Sequence, residues 1–181
     1  MSYTGTTETR LIVIRGNSGS GKSSLAAGVR AVRPRGVAII GQDQLRREIL
    51  RVKDYPGTPA VGYIDLSARF ALDQGMDVIV EGILYEAIYG DALRALIADH
   101  RGITRCYRYV LPFDETLRRH ASKSSAGGFG EEEMRRWWRE SDLLEGVSEE
   151  IIGPNESLAD STKRVLSDCE WNYGEMERPS G

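Results

Sequence analysis

Soft metal ligands are scarce in this chain of 181 residues, which holds two cysteines and two histidines. Cys106 and Cys169 are too few for a disulfide framework and sit in no metal-ligand spacing; with only His100 and His120 beside them, a zinc site is not expected. A reduced, cytoplasmic location is the expectation that follows. Long apolar runs are missing too: none approaches the ~20 residues that span a bilayer, so no membrane partner is expected. The first ten residues are polar, with Thr4, Thr6, Thr7 and Thr9 among them, and contain no secretory-signal core. Lysine is rare as well, confined to Lys22, Lys53, Lys123 and Lys163, while arginine supplies the other positive charges. The net charge is −3, and no basic stripe with interleaved aromatics occurs, so nucleic acid is not an expected partner. No Asn-Lys pair exists for guanine recognition; Asp54 to Gly57 and Asp99 to Gly102 have an Asp-x-x-Gly switch pattern, but neither follows a strand end. There is no internal repeat and no linker. The length suits one domain, 1–181, with a substantial core; the oligomeric state is left open.

What the chain does have is concentrated early. Leu11 to Ile14 form an apolar run that stops at Gly16, and Gly21, Lys22 and Ser23 follow five residues on, before a helix-like stretch from Ser24 to Val32. Strand, Gly-x₄-Gly-Lys-Ser and helix in register are the context of a phosphate-binding P-loop, or Walker A motif. In such a loop successive backbone N–H groups point at an anion, and the following helix adds its positive end. Gly16, Asn17, Ser18, Gly19, Ser20, Gly21, Lys22, Ser23 and Ser24 are therefore the expected nucleotide-binding residues. Lys22 reaches β- and γ-phosphates as a point charge, and Ser23 is placed to coordinate Mg²⁺. Ser18 and Ser20 read mainly as spacers.

Beyond the loop, strands and helices alternate. Leu25, Val29 and Val32 stripe the first helix, which Pro34 and Gly36 end. Val37 to Ile40 read as a buried strand delivering Gly41, Gln42 and Asp43 at its end. Leu45, Ile49 and Val52 mark a helix closed near Pro56, and Val61, Ile64, Ala68, Ala71 and Leu72 the next, ended at Gly75. Asp77 to Val80 form the third strand, with Glu81 and Gly82 at its carboxyl end. A helix over Glu86 to Asp99 and a strand over Ile103 to Leu111 follow. Then come a short helix over Pro112 to Arg119, a Ser/Gly/Lys-rich loop over Ala121 to Gly130, mobile by composition, and a charged helix over Glu131 to Leu144. Ile151 and Ile152 mark a last strand, Leu158, Val165, Leu166 and Cys169 a last helix, and 172–181 a polar tail. The core spans about 10–171 and the lid about 118–136. This alternation predicts an α/β fold, a parallel sheet covered by helices on both faces. Right-handed crossovers bring the strand ends to one edge, where such sheets bind ligands.

The P-loop, Asp43 and Glu81 all fall at that edge. Asp43 is the candidate catalytic base, accepting the proton of an acceptor hydroxyl held in line with the γ-phosphate; its alternative role is to cap the following helix. Glu81 occupies a Walker-B-like place, where a carboxylate binds Mg²⁺ or orients the acceptor. Arg118, Arg119 and Lys123 precede the loop, and Arg135, Arg136 and Arg139 follow it; a lid bearing arginines stabilises the transferring phosphate and excludes water. For Arg135, Arg136 and Arg139 a solvated helix paired with nearby glutamates is an equal alternative, so Arg118 and Arg119 are preferred. Arg46, Arg47, Arg51, Tyr63 and Arg69 lie where an acceptor pocket would form, and basic residues there suit an anionic or polyhydroxylated acceptor. His120 reads as a surface histidine, Trp137 and Trp138 receive no role, and Gly153 to Ser157 are placed to contact adenine.

On the P-loop, Gln42-Asp43, Val78 to Gly82 and an arginine-bearing lid after the fourth strand, the chain resembles the small P-loop kinases: chloramphenicol phosphotransferase, zeta-type toxins, gluconate kinase and adenylylsulfate kinase. The order of elements matches over about 10–170, specific identity only at those motifs. The resemblance implies a three-layer sandwich with five parallel strands, as in nucleoside-monophosphate kinases. It further implies ATP with Mg²⁺ as donor and a small-molecule hydroxyl as acceptor. It assigns Lys22 and Ser23 to phosphates and metal, Asp43 to the base and Arg118 or Arg119 to the lid. Tyr55 to Tyr63 match no substrate motif, so the acceptor stays open: a metabolite, a nucleotide sugar or an antibiotic, the last two as in toxin or resistance enzymes. A nucleotide-dependent switch is the reading from another class.

Overall fold

The computed structural model describes residues 3–33, 35–121 and 130–171. Pro34, residues 122–129 with Lys123, and the tail 172–181 lie outside the described residues, and with them the centre of the expected lid. The strands are β1 (Arg10–Arg15), β2 (Val37–Gly41), β3 (Asp77–Gly82), β4 (Ile103–Tyr109) and β5 (Glu150–Ile152). The helices are α1 (Lys22–Val32), α2 (Pro59–Asp73), α3 (Glu86–Asp99), α4 (Phe113–Ala121), α5 (Glu131–Trp137) and α6 (Leu158–Asp168). All strand pairs are parallel, in the order β2-β3-β1-β4-β5.

The period-two alternation of β1 sorts the core into two layers. Leu11 and Val13 face one way and pack with Ile64, Ala68 and Leu72 of α2 and Leu93 and Leu96 of α3. Ile12 and Ile14 face the other way and pack with Leu25 and Val29 of α1 and Val165 and Leu166 of α6. A strand covered on both faces is apolar through its middle, which is why residues 11–14 of β1 and 78–80 of β3 read as unbroken apolar runs, with charged residues only at the strand ends. The result is a three-layer α/β sandwich. Among the described residues no helix is long and apolar enough to cross a membrane.

Register fixes the site. Ile14 lies opposite Glu81, Glu81 opposite Gly41, and Arg15 opposite Gly82, so three strand ends are level. In three places the structure departs from the sequence expectation. β2 is an edge strand, with Ala38, Ile39 and Ile40 only half-buried, because no strand flanks it on its outer side. The segment after Asp43 is not α-helical: Gln44–Ile49 wind as a π-helix, closed by Leu50 N–H donating to the Leu45 carbonyl at 2.9 Å. The wider winding breaks the expected stripe, burying Leu45 while leaving Ile49 exposed. Finally, α5 stops at Trp137, not at Leu144. Its next backbone groups have partners elsewhere: the Tyr85 hydroxyl donates to the Trp137 carbonyl, and Asn17 both accepts from Arg139 N–H at 3.0 Å and donates to the Arg139 carbonyl at 2.7 Å.

Candidate active site

The glycine-rich loop leaves β1 and enters α1, whose first residue is Lys22. Gly19 has φ +76°, and a side chain there would bring Cβ within 2.6 Å of the Thr116 carbonyl, so the loop packs directly on α4. Lys22 is buried, its Nζ donating to the Asn17 carbonyl at 2.8 Å and to Ser20 Oγ at 3.3 Å. Ser23 Oγ lies 3.2 Å from each carboxylate oxygen of Glu81. Lys22, Ser23, Asp43 and Glu81, together with Ser18, Gly19, Gly21 and His120, line one cavity of about 190 Å³.

Asp43 does not cap the helix after it. Its own backbone is already helical and its side chain makes no cap hydrogen bond. The carboxylate, 62% exposed, instead meets Arg47 Nε at 3.0 Å and Arg46 Nη2 at 3.2 Å. The i,i+3 and i,i+4 spacings put both arginines on the same face as Asp43, so they converge on one oxygen.

The two arginines of the last turn of α4 separate cleanly. Arg118 is 73% exposed and pairs with Glu115 at the surface, whereas Arg119 is 24% exposed and donates to the Ser20 carbonyl at 2.9 Å. Both guanidinium groups hydrogen-bond Glu115, Arg118 most strongly, and hold its carboxyl down at about 2. Arg119 also reaches the Pro154 carbonyl at 3.4 Å. A cavity of about 470 Å³ opens between the loop's Gly19, Gly21 and Ser24, Arg118 and Arg119, and residues Pro154–Leu158. Tyr109 lies in its lining, its phenol pushed up to about 12 by burial.

A third cavity, of about 670 Å³, has walls that include Arg46, Arg47, Lys53, Arg136, Trp137 and Arg139. Ile83 lines both this cavity and the phosphate cavity. The β3–α3 turn that presents Ile83 and Tyr85 is held in an uncommon shape. Leu84 has φ +49°, its N–H donates to Gln42 Oε1 at 3.0 Å, and its carbonyl accepts from Arg15 Nε and Nη2 at 3.1 and 2.9 Å. A left-handed leucine costs on the order of 1–3 kcal/mol, and three hydrogen bonds offset it. Gly82 lets the Gln42 side chain through, since a Cβ there would overlap it. Arg15, 1% exposed, continues into ion pairs with Asp142 at 2.7 Å and Glu149 at 2.8 Å.

The loop residues, Lys22, Ser23, Asp43 and Glu81 thus converge, as the level strand ends require. Of the acceptor-side candidates, Arg46 and Arg47 line the third cavity. Arg69 instead binds Asp65 at 3.0 Å and Asp99 at 2.8 Å, away from it. Arg136 and Arg139 line the same cavity, while Arg135 pairs with Glu131 at 2.8 Å along the helix. Lys53, Asp54 and Tyr85 also line it; no motif in the sequence singles out Lys53 or Tyr85, and the Asp-x-x-Gly pattern at Asp54 points to no acceptor role. Tyr85 lies three residues past the β3 end, and that position is the one signal that could have found it. Trp138 packs edge-on against Phe113, with ring centroids 5.2 Å apart, whereas Trp137 faces the cavity beneath Arg47, 5.3 Å away.

A five-stranded parallel sheet in this order, with a glycine-rich loop between β1 and α1, is the fold of the P-loop kinases. Solved structures make the likeness more particular. The chain is similar to an APS kinase of Mycobacterium tuberculosis, solved in complex with AMPPNP and APS, at 18% identity, TM-score 0.65, covering 93% of this chain and 99% of that one. It is similar to a sugar kinase from Janibacter sp. at 16% identity, TM-score 0.66, covering 92% and 97%. It is likewise similar to a gluconokinase from Sinorhizobium meliloti at 18% identity, TM-score 0.61, covering 94% of both chains. No family model and no curated protein matches the sequence.

Proposed function

We propose that this chain is an ATP- and Mg²⁺-dependent phosphotransferase that moves the γ-phosphate to a hydroxyl of a small molecule. One observation carries the reading: Lys22, Ser23, Asp43 and Glu81 share a cavity that adjoins two roomier ones, one through Gly19 and Gly21 and the other through Ile83. The cavity at Arg119 and Pro154–Leu158 is assigned to the nucleoside, and the one at Arg46, Arg47 and Trp137 to the acceptor. An adenine donor accords with the missing guanine-recognition pair and with the AMPPNP bound in the APS kinase of the same fold.

Ser23 and Glu81 fit Mg²⁺: both offer hard oxygen donors, and the buried carboxylate sits 3.2 Å from the hydroxyl beside the phosphate loop. The ion, when bound, supplies positive charge to the β- and γ-phosphate oxygens. Backbone N–H groups of Gly16–Ser24 and the N-terminus of α1 bind the phosphates, and Lys22 adds its charge. Asp43 accepts the proton of the acceptor hydroxyl as its oxygen bonds to the γ-phosphorus. The bond to the β,γ-bridging oxygen breaks and ADP departs with that electron pair. Arg119, anchored to the phosphate loop, steadies the charge spread over the transferring group. A cytoplasmic site of action belongs to the same reading, consistent with two free, buried cysteines.

Lys22→Ala tests the assignment: ATP-dependent phosphorylation should vanish while the circular dichroism spectrum and Tm stay within error. Retained turnover removes the P-loop from the mechanism. A screen of ATP consumption over sugars, nucleosides, nucleotides and antibiotics, with the phosphorylated position read by NMR, then separates metabolic from resistance or toxin-type acceptors.

A further inference from the structure

We infer that the acceptor is an anion, a hydroxyl compound that also bears a carboxylate, phosphate or sulfate group, and that Lys53, Arg136 and Arg139 hold its charged group; this rests on the phosphotransfer reading above. The acceptor cavity is walled by five cations, Arg46, Arg47, Lys53, Arg136 and Arg139, against two carboxylates, Asp54 and Glu133. Both carboxylates are engaged. Asp54 accepts from Gln42 Nε2 at 3.1 Å and from the Tyr89 hydroxyl at 2.5 Å, and lies 3.5 Å from Arg46. Glu133 accepts the Gly130 N–H at 3.0 Å at the start of α5. Arg46 and Arg47 are committed to Asp43. Lys53, Arg136 and Arg139, in contrast, form no ion pair among the described residues; Arg139 spends its guanidinium on the Trp138 and Arg136 carbonyls, at 2.8 and 3.4 Å.

Three cations that form no ion pair among the described residues, with Glu133 one turn before Arg136 offsetting part of their charge, repel one another in one concave site, and a protein keeps them together at lower cost when an anion enters. An aromatic ring limits the freedom of one of them, Arg139, before it does. Arg139 lies over Tyr85 at 5.1 Å, and Tyr85 is tied to Trp137 through its hydroxyl. Arginines stacked on rings lose less freedom on binding and present a planar fork to carboxylate, phosphate or sulfate oxygens. The two cavities meet at Ile83, and Asp43 belongs to the phosphate cavity while its arginine partners belong to the acceptor cavity. An acceptor bound with its charge at Lys53, Arg136 and Arg139 therefore extends its hydroxyl towards Asp43.

Simple inorganic and organic anions serve as probes of the charged-group subsite. Inorganic phosphate, inorganic sulfate or acetate is titrated into wild type, Lys53→Gln/Arg136→Gln and Arg139→Gln, each already saturated with Mg·AMPPNP, and Tm is followed. Phosphate or sulfate should raise Tm further in wild type at constant ionic strength, and this increment should disappear in the double variant. Preference among the three ions identifies the anion class. Equal increments in wild type and both variants, or none in wild type, overturn the proposal. In the turnover screen, each anionic acceptor is paired with its neutral parent. The anion should win by about tenfold or more in kcat/KM, and the double variant should raise the acceptor KM about tenfold or more with the ATP KM held. A neutral parent used as well as its anion, or an ATP KM that rises in step, also overturns it. The phosphotransfer reading fails separately, by a wild-type protein that Mg·AMPPNP does not stabilise.

Discussion

Asp43 illustrates how a residue's type can be legible while its bonding is not. An aspartate directly after a strand reads equally as a cap or as a base. The structure gives its carboxylate no cap hydrogen bond and turns it to Arg46 and Arg47. Asp43→Asn should lower kcat by about 10²–10⁴ with KM for ATP little changed, since it removes a proton acceptor and keeps the shape; a normal kcat would mean that another group takes the proton. Arg118 and Arg119 are indistinguishable in sequence because adjacency says nothing about which side chain turns inward. In the fold Arg119 is the one that touches the phosphate loop. Arg119→Ala should therefore reduce kcat/KM about tenfold to a hundredfold, and Arg118→Ala, losing an exposed pair, should stay within about twofold. Steady-state kinetics on both variants settles the order, and equal losses would put the two arginines on the same footing. Lys53 and Tyr85 belong to no motif; three-dimensional convergence alone brings them to a cavity wall.

At the scale of elements, the apolar runs and stripes locate the core of β1, β3, α1, α2, α3 and α6, since burial on one or two faces writes its period into the sequence. What the stripes do not carry is where partners from elsewhere in the chain intervene. The charged run after Glu131 has helical composition throughout, yet Tyr85 and Asn17 take the backbone groups that would have extended α5. Arg15 is similar: it stands unremarked at the end of an apolar strand, but it joins the β3–α3 turn to Asp142 and Glu149. Arg15→Met should take a cation from the buried Glu149, which among the described residues keeps only Arg108 as a cation partner, at 3.3 Å, and from the partly exposed Asp142, and cost up to about 3–5 kcal/mol, roughly 10 °C in Tm for a chain of this length. Thermal unfolding measures it, and a Tm within about 2 °C of wild type would show the network to be dispensable. The N-terminal segment carries a pH response. His100 is buried between Thr9 and Thr104, at 2.9 and 2.8 Å, and burial lowers its pKa. The unfolded chain takes up that proton near pH 6.5 and the folded chain only below it. Between those values the unfolded state holds more protons, so stability falls as pH drops and the contribution is intact above about pH 6.5. Tm measured from about pH 7.5 to 5 should fall more steeply in wild type than in His100→Gln; parallel curves would exonerate the histidine.

For the whole molecule, the strand order is read only from the fold, whereas layering and the edge that carries the candidate site follow from alternation of elements and crossover handedness, because these depend on average properties of many residues. The acceptor wall does not, because it is assembled from four separate stretches: the π-helical segment, the residues before α2, the β3–α3 turn and the end of α5. If, as proposed, Mg·ATP binds the folded chain and not the unfolded one, then at about a hundred times its Kd it should stabilise the protein by about 2.7 kcal/mol, and removing the metal with EDTA should abolish most of the gain. Calorimetry with and without EDTA checks this, and stabilisation that survives chelation would remove Ser23 and Glu81 from the metal assignment. On the proposed reading, the two substrates' halves of the molecule are in contact: Asn17, in the glycine-rich loop proposed to bind the donor, exchanges two hydrogen bonds with Arg139, in the wall proposed to face the acceptor. Whatever factor acceptor binding contributes to the affinity for nucleotide, nucleotide must return to the affinity for acceptor. Asn17 is thus a place where the order of substrate addition could be tuned by evolution without altering a single atom that reacts.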